Sequence, residues 1–385
     1  MAIKYNQGGT TSTVNTGNNA TQLKEHAIKK SLIELAKERY FGQLADTTSM
    51  PKNSGKKIKQ YLYVPLLDDR NINDQGLDAA GAYYANGNIY GSSKDVGTIQ
   101  GKLPALSEEG GRVNRVGFSR REIEGSIVNY GFFTEYTRDS INFDSDADLL
   151  NHLMREVTRG ANEIVEDLLQ MDLLNAAGEI RYTGSATSRA TVTAVVTYND
   201  IMQLGITLDN NRTPKQTKII TGSRYIDTRT IPAARVMFIG SELIPVLKAM
   251  KDLHNQPAFI PVEKYGAATT ILNGEIGSVD SFRIVVVPEM MHWEGAGATA
   301  PAGPGVTNGK KNVYPMLVVG DESFSCISFL TDGKSVNFET IHKRPQENTS
   351  SADPYGKTGF ISIQWWYGFL KQRGERIGLI QTAMA

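Results

Sequence analysis

The sequence predicts an α+β chain, on three observations. One helical stripe runs unbroken from Phe143 to Gly178, two alternating segments enclose about fifty glycine-rich residues, and short strands mix with short helices from 190 to 345. In the first stretch, FDSDADLLNHLMREVTRGANEIVEDLLQMDLLNAAG, apolar residues recur at steps of three and four. Leu149, Leu153, Val157, Ala161, Ile164 and Leu168 are the expected packing positions of a spine helix over 145–177. Ser145, with Asp148 three residues on, predicts its N-cap, and Gly178 predicts a left-handed C′ residue. About 32 residues at ~1.5 Å each make a rod of roughly 48 Å, more than twice the usual helix. Positions flanking the stripe are not consistently charged, which favours a spine laid on a sheet over a coiled coil.

Composition narrows the function. Lysine plus arginine and aspartate plus glutamate both number 41, for a formal net charge of zero. A protein built to grip nucleic acid carries excess cations to displace counterions, so that class is disfavoured. A surface lying beside a polyanion without sticking to it remains compatible. The single cysteine, Cys326, allows no disulfide or cysteine metal cage within one chain. No apolar leader and no 18-residue apolar run is present, so neither a secretion signal nor a membrane span is expected.

Taken in order, residues 1 to about 20 are too polar to order themselves. An amphipathic arm helix follows, with Leu23, Ile28, Leu32 and Leu35 on one face and a need for a partner. KKIKQYLYVPLL (56–67) alternates as a strand, and RREIEGSIVNYGFFTEYT (120–137) as its return. Nine glycines fall between Gly76 and Gly117, so the pair reads as the base of a projecting finger. Asp69, Asn71, Asp74, Tyr83, Tyr84 and Tyr90 are its expected contact residues, and Lys52, Lys56, Lys57 and Lys59 form a basic run at its entry. That run is either an edge-protecting lysine cluster or a contact to an acidic neighbour. Further on, 198–210 predicts a helix, 235–240 a buried strand and 241–256 a helix capped by Ser241, and the segment 271–290 places a glycine-rich turn before the strand 282–287. Residues 292–312 read as a surface loop, 359–370 as a strand, and the chain closes on a basic last strand.

No catalytic constellation rises from these residues. Asp69, Asn71 and Asn73 imitate the start of a calcium loop, but Asp74 replaces its glycine and Ala80 its bidentate carboxylate. The run Asn53 to Lys56 lacks the first glycine of a phosphate loop. Gly295, Gly297 and Ala300 are followed by Pro301 and Pro304, which deny a pyrophosphate its helix N-terminus. The five histidines show no helical ligand spacing, and Cys326 alternates as a small core residue. The expectation is a non-enzyme without cofactor or metal.

Four stretches carry a resemblance: KERYFGQLADTTSMPKNSGKKIKQYLYVPLLDDRNINDQGLDAAG, NYGFFTEYTRDSINFDSD, NGEIGSVDSFRIVVVPEM and DPYGKTGFISIQWWYGFLK. In their order the chain resembles the major capsid proteins of tailed bacteriophages, of HK97-like fold, and more narrowly the podovirus coat family typified by phage N4. The resemblance implies an N-terminal arm at 1–50, an E-loop hairpin and its base at 51–140, a P-domain spine at 141–190, an α/β A-domain at 191–340 and P-domain strands at 341–385. It implies pentamers and hexamers of the chain around double-stranded DNA, in a virion assembled in the bacterial cytoplasm. Implied partners are further copies of the chain, portal and scaffold proteins, and a decoration protein, with no membrane. Some members of the fold cross-link a lysine of this loop to a neighbour, and no such pair is identified here. An encapsulin-like compartment shell is the alternative.

Overall fold

The computed structural model describes residues 40–53, 55–64, 96, 119–143, 149–221, 227–265, 271–329, 338–347, 349 and 353–384. The arm positions Leu23, Ile28, Leu32 and Leu35, the finger positions Asp69, Asn71, Asp74, Tyr83, Tyr84 and Tyr90, and the cap at Ser145 lie outside them. The chain divides into two units, one of residues 57–125 and one of the remainder.

The larger unit contains one sheet whose central strands are buried on both faces. Its order is β4 (Glu179–Tyr182), β16 (Ile377–Ala383), β12 (Val313–Val319), β6 (Asp227–Ile239), β9 (Phe282–Val286), β8 (Glu275–Val279) and β7 (Phe259–Pro261), with β5 (Gln216–Thr221) also on β6. Burial on both faces is why VMFI, MLVV and IVVV run without polar alternation. Val236, Phe238, Val285, Leu317, Val319 and Leu379 enter one apolar cluster. Their sequence neighbours Met237, Ile239, Ile284, Met316, Val318 and Ile380 enter another on the opposite face, with Ile201, Leu204 and Leu208. These last three come from the helix Tyr198–Asn210, whose start is a reciprocal cap between Thr197 and Asp200.

A second sheet runs β1 (Asp46–Met50), β13 (Phe324–Phe329), β15 (Thr358–Lys371), β3 (Ser119–Thr137), with β14 (Phe338–Lys343) also beside β15. Only β1 and β13 pair in parallel; β15 is antiparallel to β13, β14 and β3. Alternate residues of β15, namely Ile361, Ile363, Trp365 and Tyr367, face a long helix and are buried with its Val157, Ala161 and Val165.

Among the described residues the helices in chain order are α1 (Arg138–Phe143), α2 (Leu149–Ala176), α3 (Tyr198–Asn210) and α4 (Ile244–Ala249). On α2 the buried apolar positions Val157, Ala161, Val165, Leu169 and Leu173 follow one another at steps of four, with Ala176 three residues on. Four residues turn a 3.6-residue helix through about 400°, so the buried face drifts by about 40° per step. The first three pack on β15, and the last two join the cluster of the central sheet. The helix thus changes partner, and face, along its length.

Several expectations shift. Ile164 is 38% exposed, while Leu149, Leu153 and Leu168 are half-buried. The drifting face takes Val165 in place of Ile164. Gly178 is not left-handed. Its N–H instead donates to the carbonyls of Gly374 (3.0 Å) and Ile377 (3.2 Å), and a Cβ there would stand 2.6 Å from the Gly374 oxygen. Glycine is therefore needed for close approach of two backbones. The segment 241–256 is a 3-10 turn plus the short α4, without a Ser241 side-chain cap. Past α4, the Asp252 carboxylate accepts the N–H groups of His254 and Gln256, a local turn that competes with helix. Residues 275–279 form strand β8, not a turn, and the reversal is Asp280–Ser281, with Asp280 at φ 52°. The last strand β16 is buried throughout, and the basic residues Lys371, Arg373 and Arg376 precede it. The loop 292–312 is tied down, carrying the small hairpin β10 (Val306–Thr307) and β11 (Lys310–Lys311), with Arg189 stacked 3.8 Å over the Trp293 ring.

In the smaller unit, β2 (Lys57–Val64) is the hydrogen-bonded neighbour of β3. Ile58, Leu62 and Ile123 are half-buried, and Lys57, Lys59, Tyr61, Tyr63, Glu122 and Glu124 are exposed.

Candidate assembly surfaces

A strand shows its residues alternately to two faces, so whatever faces away from α2 on the second sheet can be read from register. In one row Ile341 of β14 lies beside Ser362 of β15, which lies beside Phe133 of β3. The next rows hold Lys343, Phe360 and Glu135, then Glu339, Gln364 and Gly131. Phe133 is 63% exposed and Ile341 48%. The Gln364 amide donates to Glu339 at 2.7 Å, which puts a polar row on one side of the apolar centre. Beyond that row Trp366 is half-buried, with the Phe329 ring 5.8 Å away and the Lys56 ammonium 5.4 Å above it. A face with an apolar centre and a charged rim has the composition of a protein–protein contact.

The four lysines of the basic run do not form one positive patch. Lys52 is exposed in the turn before β2, and Lys56 lies over Trp366. Lys57 pairs with Glu124 at 3.6 Å. Lys59 reaches Glu124 at 2.9 Å and Glu122 at 3.3 Å. The hydrogen bonds that the Lys59 ammonium donates to Glu124 and Glu122 hold it above its usual pKa, and the bond from Lys59 holds Glu124 below the usual carboxylate range. Arg120 stacks 4.2 Å over Tyr61 on the same ribbon. Cross-strand neutralisation of this kind protects a ribbon edge and sets its register.

Buried polar groups in the larger unit serve structure. Tyr367 donates to Asp172 at 2.8 Å, and burial raises both groups above their ordinary values. Cys326 is 9% exposed, and burial next to Glu166 and Asp172 pushes its thiol up, so it stays protonated and unreactive. Glu166, 7% exposed on α2, accepts the backbone N–H of Phe41 at 3.2 Å. Arg283 and Glu275 form a two-pronged buried pair at 2.7 and 2.5 Å. Cys326 is the small core residue its alternation predicts, whereas the Tyr367–Asp172, Glu166–Phe41 and Arg283–Glu275 contacts leave no local signal, because they join residues far apart in the chain or charged residues inside apolar runs. Among the described residues no group of three histidine, cysteine or acidic side chains could hold a metal ion. No described helix is long and apolar enough to cross a membrane. At Gly297 a Cβ would stand 2.8 Å from the Lys311 carbonyl, so this glycine closes the loop and no helix start follows it.

Comparison with known proteins gives this architecture its context. A family model described as phage capsid protein matches residues 121–369. The major capsid protein of Pseudomonas phage KPP21 is 57% identical over 364 residues, covering 93% of this chain and 92% of that one. Among solved structures, the cyanophage Pam1 capsid asymmetric unit gives a TM-score of 0.54 at 13% identity, covering 92% of this chain and 95% of its own. The Ralstonia phage GP4 capsid gives 0.54 at 13% identity, covering 94% and 96%. These two likenesses concern the fold, which is the HK97-like one. The sequence matches carry the rest, and the chain belongs to the phage capsid protein family.

Proposed function

We propose that the chain is the major structural subunit of an icosahedral phage head of the N4-like podovirus kind, assembling as pentamers and hexamers around double-stranded DNA. The observation that carries this is identity of 57% to a phage major capsid protein along nearly the whole of both chains. In this reading residues 1–50 are an arm, 51–140 the E-loop, 141–190 and 341–385 the P-domain and 191–340 the A-domain. The arm helix and finger lie on adjacent copies, where their apolar sides find cover, and the face centred on Phe133 and Ile341 receives a neighbour. Closed symmetry limits growth, and many modest interfaces supply the free energy of closure. The subunit performs no chemistry. Scaffold and portal proteins direct its assembly in the host cytoplasm, a decoration protein binds the finished shell, and zero net charge lets packaged DNA slide past the wall.

Electron microscopy of the expressed chain, with and without the phage's other head proteins, tests the reading. Closed icosahedral particles in either sample support it, and small soluble oligomers in both defeat it. Virion-derived particles carrying DNA separate a phage head from a compartment that encloses cargo protein.

A further inference from the structure

We infer that Glu166 is the positioning residue that fixes where and in what direction the N-terminal arm leaves the subunit. The 3-10 turn Phe41–Leu44 begins at Tyr40 without any side-chain cap of its own. The first N–H groups of a helical turn have no partner inside it, so a buried turn needs an acceptor from elsewhere. Glu166 supplies that acceptor from 125 residues away, at 3.2 Å from the Phe41 nitrogen. A carboxylate is the strongest acceptor for the purpose, and also the most expensive to bury. Position 166 adjoins Val165 and lies one turn before Gln170 on the buried side of α2, where a leucine would pack more cheaply. What the carboxylate adds is direction.

Two further contacts complete the clamp. The Phe41 ring is 2% exposed and lies 4.7 Å from that of Phe238 in the central sheet. The Tyr40 ring is seated against Gly274, where φ is +73° and a Cβ would stand 2.7 Å from Tyr40 Cε1. Phe41 and Ala45 share one cluster with Leu169 and Leu173 of α2, Phe238 of the central sheet and Phe324 of the second sheet. The root of the arm is therefore set at the joint of the three main elements. Its first residues cannot swivel without breaking that core. Under the proposed shell function, on which this inference rests, a fixed root sets the point from which the preceding residues reach a neighbouring copy.

The test compares Glu166→Leu with Glu166→Gln, whose amide oxygen can still accept from Phe41. In unassembled wild-type protein the Phe41 amide should exchange at least ~100-fold more slowly than an exposed amide, and an unprotected amide would overturn the clamp whatever the variants do. Glu166→Leu should raise exchange in residues 40–45 by ~10-fold or more. It should also cut the yield of closed particles by a similar factor, with Glu166→Gln restoring both. Wild-type yield from Glu166→Leu, or a Gln variant as defective as the Leu variant, would sink the inference. Wild-type protein that makes no particles counts against the shell reading instead, and the amide exchange still judges the clamp.

Discussion

Arg283 and Glu275 show most plainly what a single position can cost. Their side chains are 7% and 0% exposed, and Glu275 also accepts from the Leu272 N–H at 2.9 Å and the Tyr265 hydroxyl at 3.2 Å. Removing the guanidinium leaves a buried carboxylate without its cation, so Arg283→Leu should lower unfolding free energy by about 3–5 kcal/mol in urea titration. A loss below about 1 kcal/mol would show that the pair is not buried as described. Asp172 behaves in the opposite sense. Burial raises its folded pKa, so the folded state disfavours its charge, and the penalty is complete above the raised value. Asp172→Asn keeps an acceptor for Tyr367 and should raise Tm at pH 7.5, with the gain shrinking as pH falls towards ~4. An equal gain at both pH values would contradict burial as the cause. Glu124 runs the other way again: its depressed pKa adds stability above the usual carboxylate range, lost as pH falls through the folded value.

At the scale of the element, α2 was legible as a helix but not in its packing. Leucines, valines and isoleucines at steps of three and four announce a helix because side chains three or four apart share a face. Choosing between Ile164 and Val165 requires knowing that the helix leaves one sheet and meets another between Val165 and Leu169. Leu169→Ala should therefore cost about 2–5 kcal/mol. Ile164→Ala, on the exposed side, should stay within about 0.5 kcal/mol. Equal losses in thermal unfolding would refute the drifting face. The helix expected over 241–256 failed for a related reason: Asp252 and Asn255 (φ 63°) close a turn that apolar periodicity cannot reveal. Strand β8 was hidden because Gly277 resembles turn punctuation. It is a glycine because a Cβ would stand 2.4 Å from the Ile260 carbonyl on the adjacent strand.

For the whole molecule, the expected outcome concerns association. Phe133→Glu places a charge on an already exposed position, so the isolated subunit should keep its fold and Tm within a few degrees. Particle formation, followed by sizing chromatography and microscopy, should be lost, because a charge desolvated at a contact centre costs several kcal/mol. Normal particles from this variant would remove the second sheet from the contacts between copies. Deleting residues 70–115 should likewise leave a soluble subunit that closes no shell. The helices α2 and α3, the apolar strands at 235–240 and 282–287 and the family were readable from the chain, because periodicity and local stretches of sequence carry them. The tertiary structure alone decided which face of α2 is inside, why Gly178 is a glycine, and that Glu166 holds Phe41. Each of these depends on a partner more than a hundred residues away, and no local pattern encodes a distance across the fold.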